Sequence, residues 1–486
     1  MKLSELCLRS EIHDYALHGD AEVSRLVMDS RKVQSGDLFV AMPSPNTDSY
    51  QFIAKAIEAG AVGAIVFSPD GLAHCAETSG LYLSNYEDQL WRLCKTITGN
   101  PSAGMKMVGV TGTNGKTTTA WIIRDMLQAL GLSSGYLGTL GFQFPGHSID
   151  LPNTTPFVVD LYNYLAEARD AGVQGMAIEV SSHALAQKRV EGIEFDVVVM
   201  TNLTQDHLDF HRSLQNYADA KWRLFSEFGS VFGCFNVDDS TVAGWNQKFG
   251  GAKIGYTTEN RPAADLIGQP TKIAIDGIDL TLKYQGQSAK ASSKLAGNYN
   301  VSNLVCACSA LLGLGYSLDE VAHAVPSATP VPGRFESILN EKGIGVIVDY
   351  AHTPDALEKL LSAARPLTEK RLITVFGCGG DRDNTKRPLM ARAASERSDL
   401  TVITSDNPRT EDPVKILEQV QSGIKKGKES VLIEDRIEAI YFAINNAQPG
   451  DTVVIAGKGH EDYQIIGRTK IHLDDREITR EVLGAP

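Results

Sequence analysis

The sequence predicts an α/β protein of about three domains, in which parallel sheets are crossed by helices. Short β-branched runs alternate with longer amphipathic stretches along most of the chain, which is the pattern of such sheets. The length of 486 residues corresponds to three domains at roughly 150 residues each. A composition of 43% hydrophobic and 22% charged residues is typical of a soluble globular enzyme.

The charge and the cysteines narrow the class of protein. With 59 acidic and 46 basic residues the formal charge is −13, which argues against a nucleic-acid partner. The 7 cysteines are scattered, odd in number and too sparse for a disulfide framework, so they indicate a reducing compartment. We find neither a signal peptide nor an apolar run of about 18 residues. We therefore expect a cytoplasmic protein without membrane insertion. A monomer is the expected oligomeric state, although the sequence does not determine it.

We expect the first domain to span residues 1–98. It contains apolar, strand-like runs at residues 37–42 and 61–67. It ends near the loop-like string at residues 98–101, which holds a glycine and a proline.

The second domain is expected at residues 99–332. Strand-like runs at residues 105–110, 176–180 and 197–202 are each followed by polar residues, where ligands collect in parallel sheets. Residues 271–293 alternate apolar and polar side chains around two turn-like dipeptides, which predicts a small antiparallel hairpin element. The apolar run at residues 304–312 contains two cysteines and predicts a buried helix, not a zinc site.

The third domain is expected at residues 333–486 and to resemble a dinucleotide-binding fold. Helical stretches such as residues 356–364 separate its strand-like runs. These runs lie at residues 345–349, 372–376, 400–404 and 452–456.

A glycine-rich string at residues 111–118 follows the strand-like run at 105–110 and precedes a predicted helix at 119–130. This is the context of a phosphate-binding loop. Glycines let backbone N–H groups turn toward phosphate oxygens, Lys116 adds a positive charge, and Thr117 can hold Mg²⁺. The strict pattern has a glycine where this chain has Val110, and an incidental glycine-rich turn is the alternative. The predicted nucleotide-binding residues are Gly112, Thr113, Asn114, Gly115, Lys116, Thr117 and Thr118.

Polar residues follow the next two predicted strands. Glu179 and His207 could serve a magnesium–phosphate centre, although such residues at strand ends are more often structural. His207 and His211 have the spacing of some zinc sites, but Leu208 stands where a zinc protease has glutamate, so we do not expect zinc. On its own, Lys221 in a helix-like stretch predicts a solvated surface lysine.

Taken together and in order, these strings resemble those of the Mur ligases, the ATP-dependent amide-forming enzymes of peptidoglycan synthesis. The strings are GTNGKTTT at 112–119, EVSSH at 179–183, TNLTQDHLDFH at 201–211 and YADAK at 217–221. Others match at 29–31, 36–41, 153–156, 297–300, 332–336 and 349–352, so the resemblance spans nearly the whole chain. It implies a three-domain Mur ligase architecture with an N-terminal UDP-sugar-binding domain, a central P-loop ATPase domain and a C-terminal amino-acid-binding domain.

The string Asp406-Asn407-Pro408-Arg409 resembles the motif of the family members that add meso-diaminopimelate to UDP-N-acetylmuramoyl-L-alanyl-D-glutamate. A guanidinium can bind, through two hydrogen bonds, the second carboxylate that distinguishes diaminopimelate from lysine. Taken alone, Arg409 would be a solvated turn residue and residues 381–387 a solvated charged loop. The resemblance implies an amino-acid pocket of Arg382, Asp406, Asn407, Pro408, Arg409, Gly457 and Glu461, in which Glu461 binds an ammonium.

The resemblance also implies a reaction. The D-glutamate side-chain carboxylate attacks the γ-phosphate of ATP, and the resulting acyl phosphate is attacked by the diaminopimelate amine. Closure of the third domain onto the second is expected to assemble the site. The implied catalytic residues are Lys116, Glu179, His207 and Lys221, and the implied magnesium-holding residues are Thr117, Glu179, His207 and a carbamylated Lys221.

Further roles come from the same resemblance. Asn300, Arg334 and Asp349 would hold the base, phosphates and ribose of ATP. The residues implied to bind the UDP-muramoyl-peptide are Ser30, Asn153, Thr154, Thr155, Ser181, Gln187 and Arg189, with Ser30 at the uridine.

The chain departs from the family pattern at the nucleotide-sugar subsite. Ser44 and Ser49 stand where the family often has glycines, and Phe157-Val158 replaces the more usual small or polar residues. These changes could alter contacts to the uridine or the muramoyl-peptide.

Three alternatives stay open. One is the same ligase acting on L-lysine or another amino acid, and another is a folylpolyglutamate synthetase-like enzyme. The third is a nucleotide-driven switch or a silent scaffold. The motif at residues 406–409 and the string at residues 29–31 argue against the folate enzyme. The joint presence of Lys116, Glu179, His207 and Lys221 argues against a scaffold.

Overall fold

The computed structural model describes residues 1–43, 48–229, 231–259, 261 and 264–484. The chain divides into two compact units, Met1–Tyr256 with Ser309–Tyr316, and Thr257–Cys308 with Ser317–Pro486. No helix within the described ranges is both long and apolar enough to cross a membrane. The finer division at residues 98/99 and 332/333 stays a prediction.

Helices and strands alternate along the chain, as the sequence predicts. The helices are α1 (Leu3–Arg9), α2 (Ile53–Glu58), α3 (Tyr86–Ile97), α4 (Lys116–Ala129), α5 (Val158–Asp170), α6 (Ser182–Ala186), α7 (Leu208–His211), α8 (Leu214–Ser226), α9 (Ser240–Lys248), α10 (Asn298–Gly313), α11 (Leu318–Ala324), α12 (Pro354–Ala364), α13 (Lys386–Arg397), α14 (Pro413–Gln421), α15 (Arg436–Asn446) and α16 (Asp475–Leu483).

The strands of the first unit are β1 (Tyr15–His18), β2 (Arg25–Val27), β3 (Asp37–Val40), β4 (Gly63–Val66), β5 (Ser79–Leu83), β6 (Lys106–Thr111), β7 (Ser134–Gly138), β8 (Gly141–Phe144), β9 (His147–Ile149), β10 (Gly175–Glu179), β11 (Val197–Met200), β12 (Phe232–Asn236) and β13 (Lys253–Thr257). The later strands are β14 (Leu266–Ala274), β15 (Gly277–Tyr284), β16 (Gln287–Ser293), β17 (Glu336–Ser337), β18 (Gly345–Asp349), β19 (Leu372–Cys378), β20 (Leu400–Ser405), β21 (Glu429–Leu432), β22 (Thr452–Ala456), β23 (Tyr463–Ile466) and β24 (Thr469–His472).

The first unit begins with a five-stranded sheet in the order β1-β5-β4-β3-β2. Strands β2 to β5 pair in parallel and β1 pairs antiparallel with β5. The apolar runs predicted at residues 37–42 and 61–67 form β3 and β4, so both predictions are confirmed.

A larger sheet of the same unit has the order β13-β12-β11-β6-β10-β7-β8-β9. Its first six strands are parallel, and β6 lies between β10 and β11. Helix α4 begins earlier than predicted, because Gly115, with a φ of 85°, ends the loop and Lys116 already starts the helix. The carboxyl ends of β6, β10 and β11 therefore meet at one edge, where ligands bind in such sheets.

The second unit begins with the predicted antiparallel element, formed by β14, β15 and β16. Its second turn places Gln285 and Gly286 at φ values of 48° and 77°, as a two-residue type I′ hairpin requires. The predicted buried helix is also confirmed, because Cys306 and Cys308 lie in α10 and are 1% and 0% exposed.

The last large sheet has the order β17-β18-β22-β19-β20-β21. Its strands are parallel except for β17. The four predicted strands form β18, β19, β20 and β22, and the short strand β17 and the polar strand β21 were not predicted. Since the chain runs from β19 outward to β21 and then returns to β22 on the other side of β19, the strand order reverses there. This is the topology expected of a dinucleotide-binding fold.

Alternate residues of this sheet point into two separate cores, which explains why its strands are apolar throughout. One core lies against α12, α13 and α14, and the other against α15 and α16. The first contains Ile347, Phe376, Ile403 and Val454, and the second contains Val348, Val375, Val402 and Ile455.

Candidate active site

The glycine-rich loop joins β6 to α4 with its backbone turned inward. Gly112 has a φ of 144°, and a Cβ atom there would lie 1.8 Å from the Thr201 hydroxyl oxygen, so only glycine fits. The Lys116 ammonium donates to the carbonyl oxygens of Gly112 at 3.0 Å and Thr113 at 2.8 Å. The loop thus has the cradle geometry that binds phosphate.

The segment after β11 holds this loop in place. The Asn202 side chain accepts from the Asn114 N–H and donates to the Asn114 carbonyl oxygen, both at 3.0 Å. The Thr201 hydroxyl also donates to the Asn114 carbonyl, at 2.7 Å. We predicted Thr201 and Asn202 at the end of a strand, but we predicted no role for either in holding the loop.

Glu179 ends β10 and is fully buried beside the start of α4. Its carboxylate accepts from the Thr117 hydroxyl at 2.9 Å, from the Thr139 N–H at 2.8 Å and from the Tyr136 hydroxyl. Thr117 and Glu179 therefore come together, and they offer the oxygen ligands that suit Mg²⁺. The supporting Tyr136 and Thr139 were not predicted, since they come from a strand and loop with no motif.

Lys221 is buried, with only 1% of its surface exposed, so the expectation of a surface lysine is wrong. Tyr217, Lys221 and Leu224 lie one turn apart on the inner face of α8, which brings the lysine under the loop. Its ammonium donates to the Gly112 carbonyl at 2.7 Å and lies 4.7 Å from the centre of the Tyr217 ring. Burial and, next, the charge of Lys116 hold the pKa of Lys221 well below its usual value.

His207 precedes the short helix α7 as its N-cap residue and has the left-handed conformation, with a φ of 51°. Its side chain is 47% exposed and lies 3.5 Å from Asp206. Its ring lies 6.3 Å from that of Tyr217, whose hydroxyl donates to Thr113 at 3.1 Å. Tyr217 therefore contacts both His207 and Lys221, although no role was predicted for it.

Two further histidines surround His207. The ring of His183 lies 4.8 Å from that of His207, and His211 is buried with Nε2 3.0 Å from the Ser182 hydroxyl. Burial lowers the pKa of both His183 and His211; the neighbouring histidines lower it further for His183, and Lys221 does so for His211. Within the described ranges no three His, Cys, Asp or Glu side chains converge as a metal-binding group.

Most residues implied to bind the muramoyl-peptide form one cluster next to Glu179. The Thr155 hydroxyl donates to the Glu179 carbonyl at 2.7 Å and accepts from the Ser181 N–H at 3.1 Å. Arg189 donates to the Thr155 carbonyl at 2.8 Å and to the Gln187 side chain at 2.9 Å.

The remaining residues of this group are placed less closely. The Thr154 hydroxyl lies 3.1 Å from that of Thr139, and the half-buried Asn153 precedes it. The Phe157 ring packs against Arg189 at 4.1 Å, so this departure from the family pattern lies within the cluster.

At the predicted uridine end, Ser30 starts a single 3₁₀ turn, Ser30–Lys32, after the capping residue Asp29. Among the described residues, no hydrogen bond joins Ser30 to the Thr155 cluster. The Ser49 hydroxyl donates to the Ala41 carbonyl at 3.0 Å. Ser44 lies outside the described residues.

A cavity of about 440 Å³ opens in the second unit at the carboxyl ends of β19, β20 and β22, where the strand order reverses. This is where ligands bind in open parallel sheets. The lining includes all of the predicted amino-acid-binding residues except Pro408, namely Arg382, Asp406, Asn407, Arg409, Gly457 and Glu461.

The Asp406–Arg409 segment is held by the hairpin of β23 and β24. Gln464 donates to the Asp406 carbonyl at 2.7 Å, and the Ile465 N–H donates to the Asn407 side-chain oxygen at 2.9 Å. The Arg409 N–H in turn donates to the Ile465 carbonyl at 3.0 Å. Arg409 is half-buried and its Nη1 donates to Gly380 at 2.8 Å, so the expectation of a solvated turn residue is wrong.

The charged run at residues 381–387 is exposed as far as residue 386, but Arg387 is 1% exposed. Its guanidinium makes two 2.9 Å hydrogen bonds to the Glu411 carboxylate and one of 2.6 Å to Gln419. Arg387, which lines the cavity, thus ties its wall to the segments that contain Glu411 and Gln419. The exposed Arg382 makes no hydrogen bond within the described part of the chain, which leaves its guanidinium available to a ligand.

A fully buried ion pair lies beneath the cavity. Arg436 makes two 2.7 Å hydrogen bonds to the Asp475 carboxylate. It also donates to the carbonyl oxygens of Ser405, at 3.4 Å, and Ala456, at 3.0 Å, which directly precede two lining residues. The pair therefore joins the ends of β20 and β22.

Two of the three implied ATP-contacting residues of the second unit lie close together. Asp349 accepts from the N–H groups of Phe335 at 2.7 Å and Ala351 at 2.8 Å, and burial raises its pKa despite the opposing charge of Arg334. The Arg334 guanidinium packs 5.0 Å from the centre of the Tyr350 ring.

Asn300, the third of them, is buried in α10. Its side chain donates to the Ala296 carbonyl at 2.7 Å and accepts from Asn303 at 2.9 Å. No hydrogen bond among the described residues joins it to Arg334 or Asp349.

Two protein-family models match this chain. Residues 110–311 match the model of the Mur ligase middle domain, and residues 333–459 match that of the Mur ligase glutamate ligase domain. A relative from Gloeobacter violaceus is 44% identical over 100% of this chain and 98% of its own length. One from Geobacillus kaustophilus is 40% identical over 99% of each chain. Both carry the name UDP-N-acetylmuramoyl-L-alanyl-D-glutamate–2,6-diaminopimelate ligase.

Solved structures agree. A structure of a protein with the same name aligns with a TM-score of 0.71 at 33% identity, covering 95% of each chain. Folylpolyglutamate synthase of Mycobacterium tuberculosis aligns with a TM-score of 0.59 at 19% identity, covering 75% of this chain and 91% of that one, which shows a shared fold alone. The chain therefore belongs to the Mur ligase family.

Proposed function

We propose that this chain adds meso-diaminopimelate to UDP-N-acetylmuramoyl-L-alanyl-D-glutamate, using ATP and passing through an acyl phosphate. As a Mur ligase it is an ATP-dependent, ADP-forming amide ligase of peptidoglycan synthesis. Its full-length relatives at 40–44% identity carry the name of the diaminopimelate-adding enzyme.

The single observation that carries the choice of amino acid is the mixed charge of the cavity at the strand-order reversal. Arg382 and Arg409 line it together with Glu461. Arg409 uses one Nη atom for Gly380, which leaves its other guanidinium N–H groups for a carboxylate. A ligand whose distal carbon bears both a carboxylate and an ammonium satisfies both signs, whereas lysine leaves an arginine without an anion.

We propose that the phosphate loop and the residues next to it offset the negative charge of the ATP phosphates. The loop N–H groups and Lys116 would bind the phosphates, and Thr117 with Glu179 would hold Mg²⁺. When bound, Mg²⁺ would neutralise charge on the transferring phosphoryl group. Asn300, Arg334 and Asp349 keep their implied roles in binding the base, phosphates and ribose.

Lys221 is proposed to be carbamylated. Its lowered pKa favours the neutral amine, which is the form that attacks CO₂. A bond forms between Nζ and the carbon of CO₂, one proton leaves, and the product is a carbamate of charge −1. The carbamate would attract the half-buried Lys116 ammonium, and its oxygens, with His207, could hold a second Mg²⁺.

The reaction then proceeds in two steps. A carboxylate oxygen of the D-glutamate side chain bonds to the γ-phosphorus while the bond to ADP breaks. The free amine of diaminopimelate next attacks the acyl carbon, inorganic phosphate leaves, and the nitrogen loses a proton to give the amide. Thr154, Thr155, Ser181, Gln187 and Arg189, with Asn153 and Ser30, are proposed to hold the muramoyl-peptide.

The test is phosphate release from ATP with UDP-N-acetylmuramoyl-L-Ala-D-Glu and either meso-diaminopimelate or L-lysine. Release with diaminopimelate alone supports the proposal. Release with lysine instead would keep the ligase and overturn the interpretation of the cavity. Release with neither would favour the folate enzyme or the scaffold, which addition of a folate and glutamate then separates.

A further inference from the structure

Lys458 is a fully buried cation behind the amino-acid cavity, and the proposed reaction gives it no role. Its ammonium lies 3.4 Å from the Asn407 side-chain oxygen, 3.4 Å from Glu461 Oε2 and 5.3 Å from the centre of the Tyr463 ring. An ammonium has three N–H donors, and these three neighbours match them in number. A buried charge is retained in this way only when it is paired.

Only one carboxylate oxygen of Glu461, Oε2, is hydrogen-bonded within the described part of the chain. Oε2 accepts from Lys458 at 3.4 Å and from the Asn407 amide nitrogen at 3.3 Å. Oε1 makes no hydrogen bond within the described part of the chain, and the residue lines the cavity. One oxygen is therefore anchored in the wall, and the other is left to a ligand.

We infer that Lys458 is a positioning and specificity-determining residue that acts through Glu461. It anchors Oε2 so that Oε1 can accept the distal ammonium of the acceptor amino acid. This inference rests on the proposed function, since it assumes that Glu461 binds that ammonium.

The charge of Lys458 has a second consequence. Together, Lys458 and Glu461 have no net charge, so the carboxylate attracts a distal ammonium without repelling the carboxylate on the same carbon. Without Lys458, Glu461 would lose its buried counter-charge, and the cavity wall would be more negative by one charge. That charge would disfavour diaminopimelate relative to lysine, whose distal end is a cation alone.

The test uses Lys458→Met, which retains the buried stem. The fold should persist, because Asn407 keeps its hydrogen bond from the Ile465 N–H and Glu461 keeps its bond from Asn407. We expect kcat/KM for diaminopimelate to fall by about 10- to 100-fold, the effect of losing one hydrogen bond to a charged group. KM for ATP should stay within about twofold, and the preference for diaminopimelate over lysine should fall. Lys470→Met is the matched control, because Lys470 contacts the same ring at 3.8 Å but is exposed.

A double-mutant cycle with Glu461→Gln separates positioning from a general structural effect. If Lys458 acts through Glu461, adding Lys458→Met to Glu461→Gln should change kcat/KM by less than about twofold. Equal losses in both backgrounds, or an unchanged preference for diaminopimelate over lysine, would overturn the inference. Activity of the wild-type protein with diaminopimelate tests the proposed function separately, and its absence would remove the basis of both.

Discussion

Replacement of the buried lysine beneath the phosphate loop should separate activity from stability. Lys221→Met keeps a side chain of similar length and removes the ammonium, which is the site of the proposed carbamate. We expect ligation to fall by about 100- to 1,000-fold or more, the cost of removing one preorganised charged group from a phosphoryl-transfer site. Phosphate release with all three substrates measures the loss.

The stability of this variant follows from the contacts of the ammonium. Lys221 and Lys116 both donate to the Gly112 carbonyl, at 2.7 and 3.0 Å, so the carbonyl keeps a partner after the substitution. The variant also loses the desolvation of a buried cation, which costs several kcal/mol, and its repulsion from Lys116. In buffer depleted of CO₂, its free energy of unfolding should therefore equal or exceed that of the wild type, by up to about 2 kcal/mol.

The pH dependence has a defined sign. The folded-state pKa of Lys221 lies well below the ordinary value of 10.5, so the unfolded chain binds more protons between the two values. The contribution of Lys221 to the free energy of unfolding consequently rises with pH in this window, and the variant's advantage should shrink as pH approaches 10.5. Urea unfolding at several pH values measures this. A decrease of more than about 2 kcal/mol in the free energy of unfolding of Lys221→Met, or full ligation by this variant, would refute the reasoning. The control is Lys248→Met, at an exposed lysine on α9.

Three other substitutions test separate parts of the site. Gly112→Ala places a Cβ atom 1.8 Å from the Thr201 hydroxyl oxygen, so KM for ATP should rise at least about tenfold, and an unchanged KM would contradict the loop geometry. Arg409→Lys loses two-pronged binding and should lower kcat/KM for diaminopimelate by about 10- to 100-fold at constant KM for ATP; equal losses for lysine would count against its role. Arg436→Met leaves Asp475 buried without its partner and should lower the free energy of unfolding by about 3–5 kcal/mol in urea, whereas a neutral effect would mean that water reaches the carboxylate.

Local patterns predicted much of the fold. The runs that form β18 and β22 have the predicted bounds, because a strand buried on both faces is apolar throughout. The phosphate loop was also predictable, because its glycines and its lysine lie within one short string of the sequence. The polar strand β21 has a half-exposed, mixed composition and carries no such signal.

Contacts between distant segments could not be predicted. Lys221 is buried because its face of α8 packs against the phosphate loop. The residues around Lys221 in the sequence do not indicate which face of the helix does so. Tyr136 and Thr139 donate hydrogen bonds to the Glu179 carboxylate, although both lie 40 or more residues away from it in the sequence. The sequence grouped six of the cavity residues only through resemblance to a family, and the anchoring contact of Lys458 is a property of the folded chain alone.

The reversal of strand order in the last sheet has a consequence for synthesis on the ribosome. Strand β22 lies between β18 and β19, although more than 70 residues separate β19 from it in the chain. A nascent chain that has emerged only as far as β21 lacks the central strand of this sheet and the Gly457–Glu461 wall of the cavity. Because such gaps expose unpaired strand edges, the emerging chain is open to misassembly until β22 is inserted. The amino-acid cavity is thus completed only after every other strand of this sheet has left the exit tunnel.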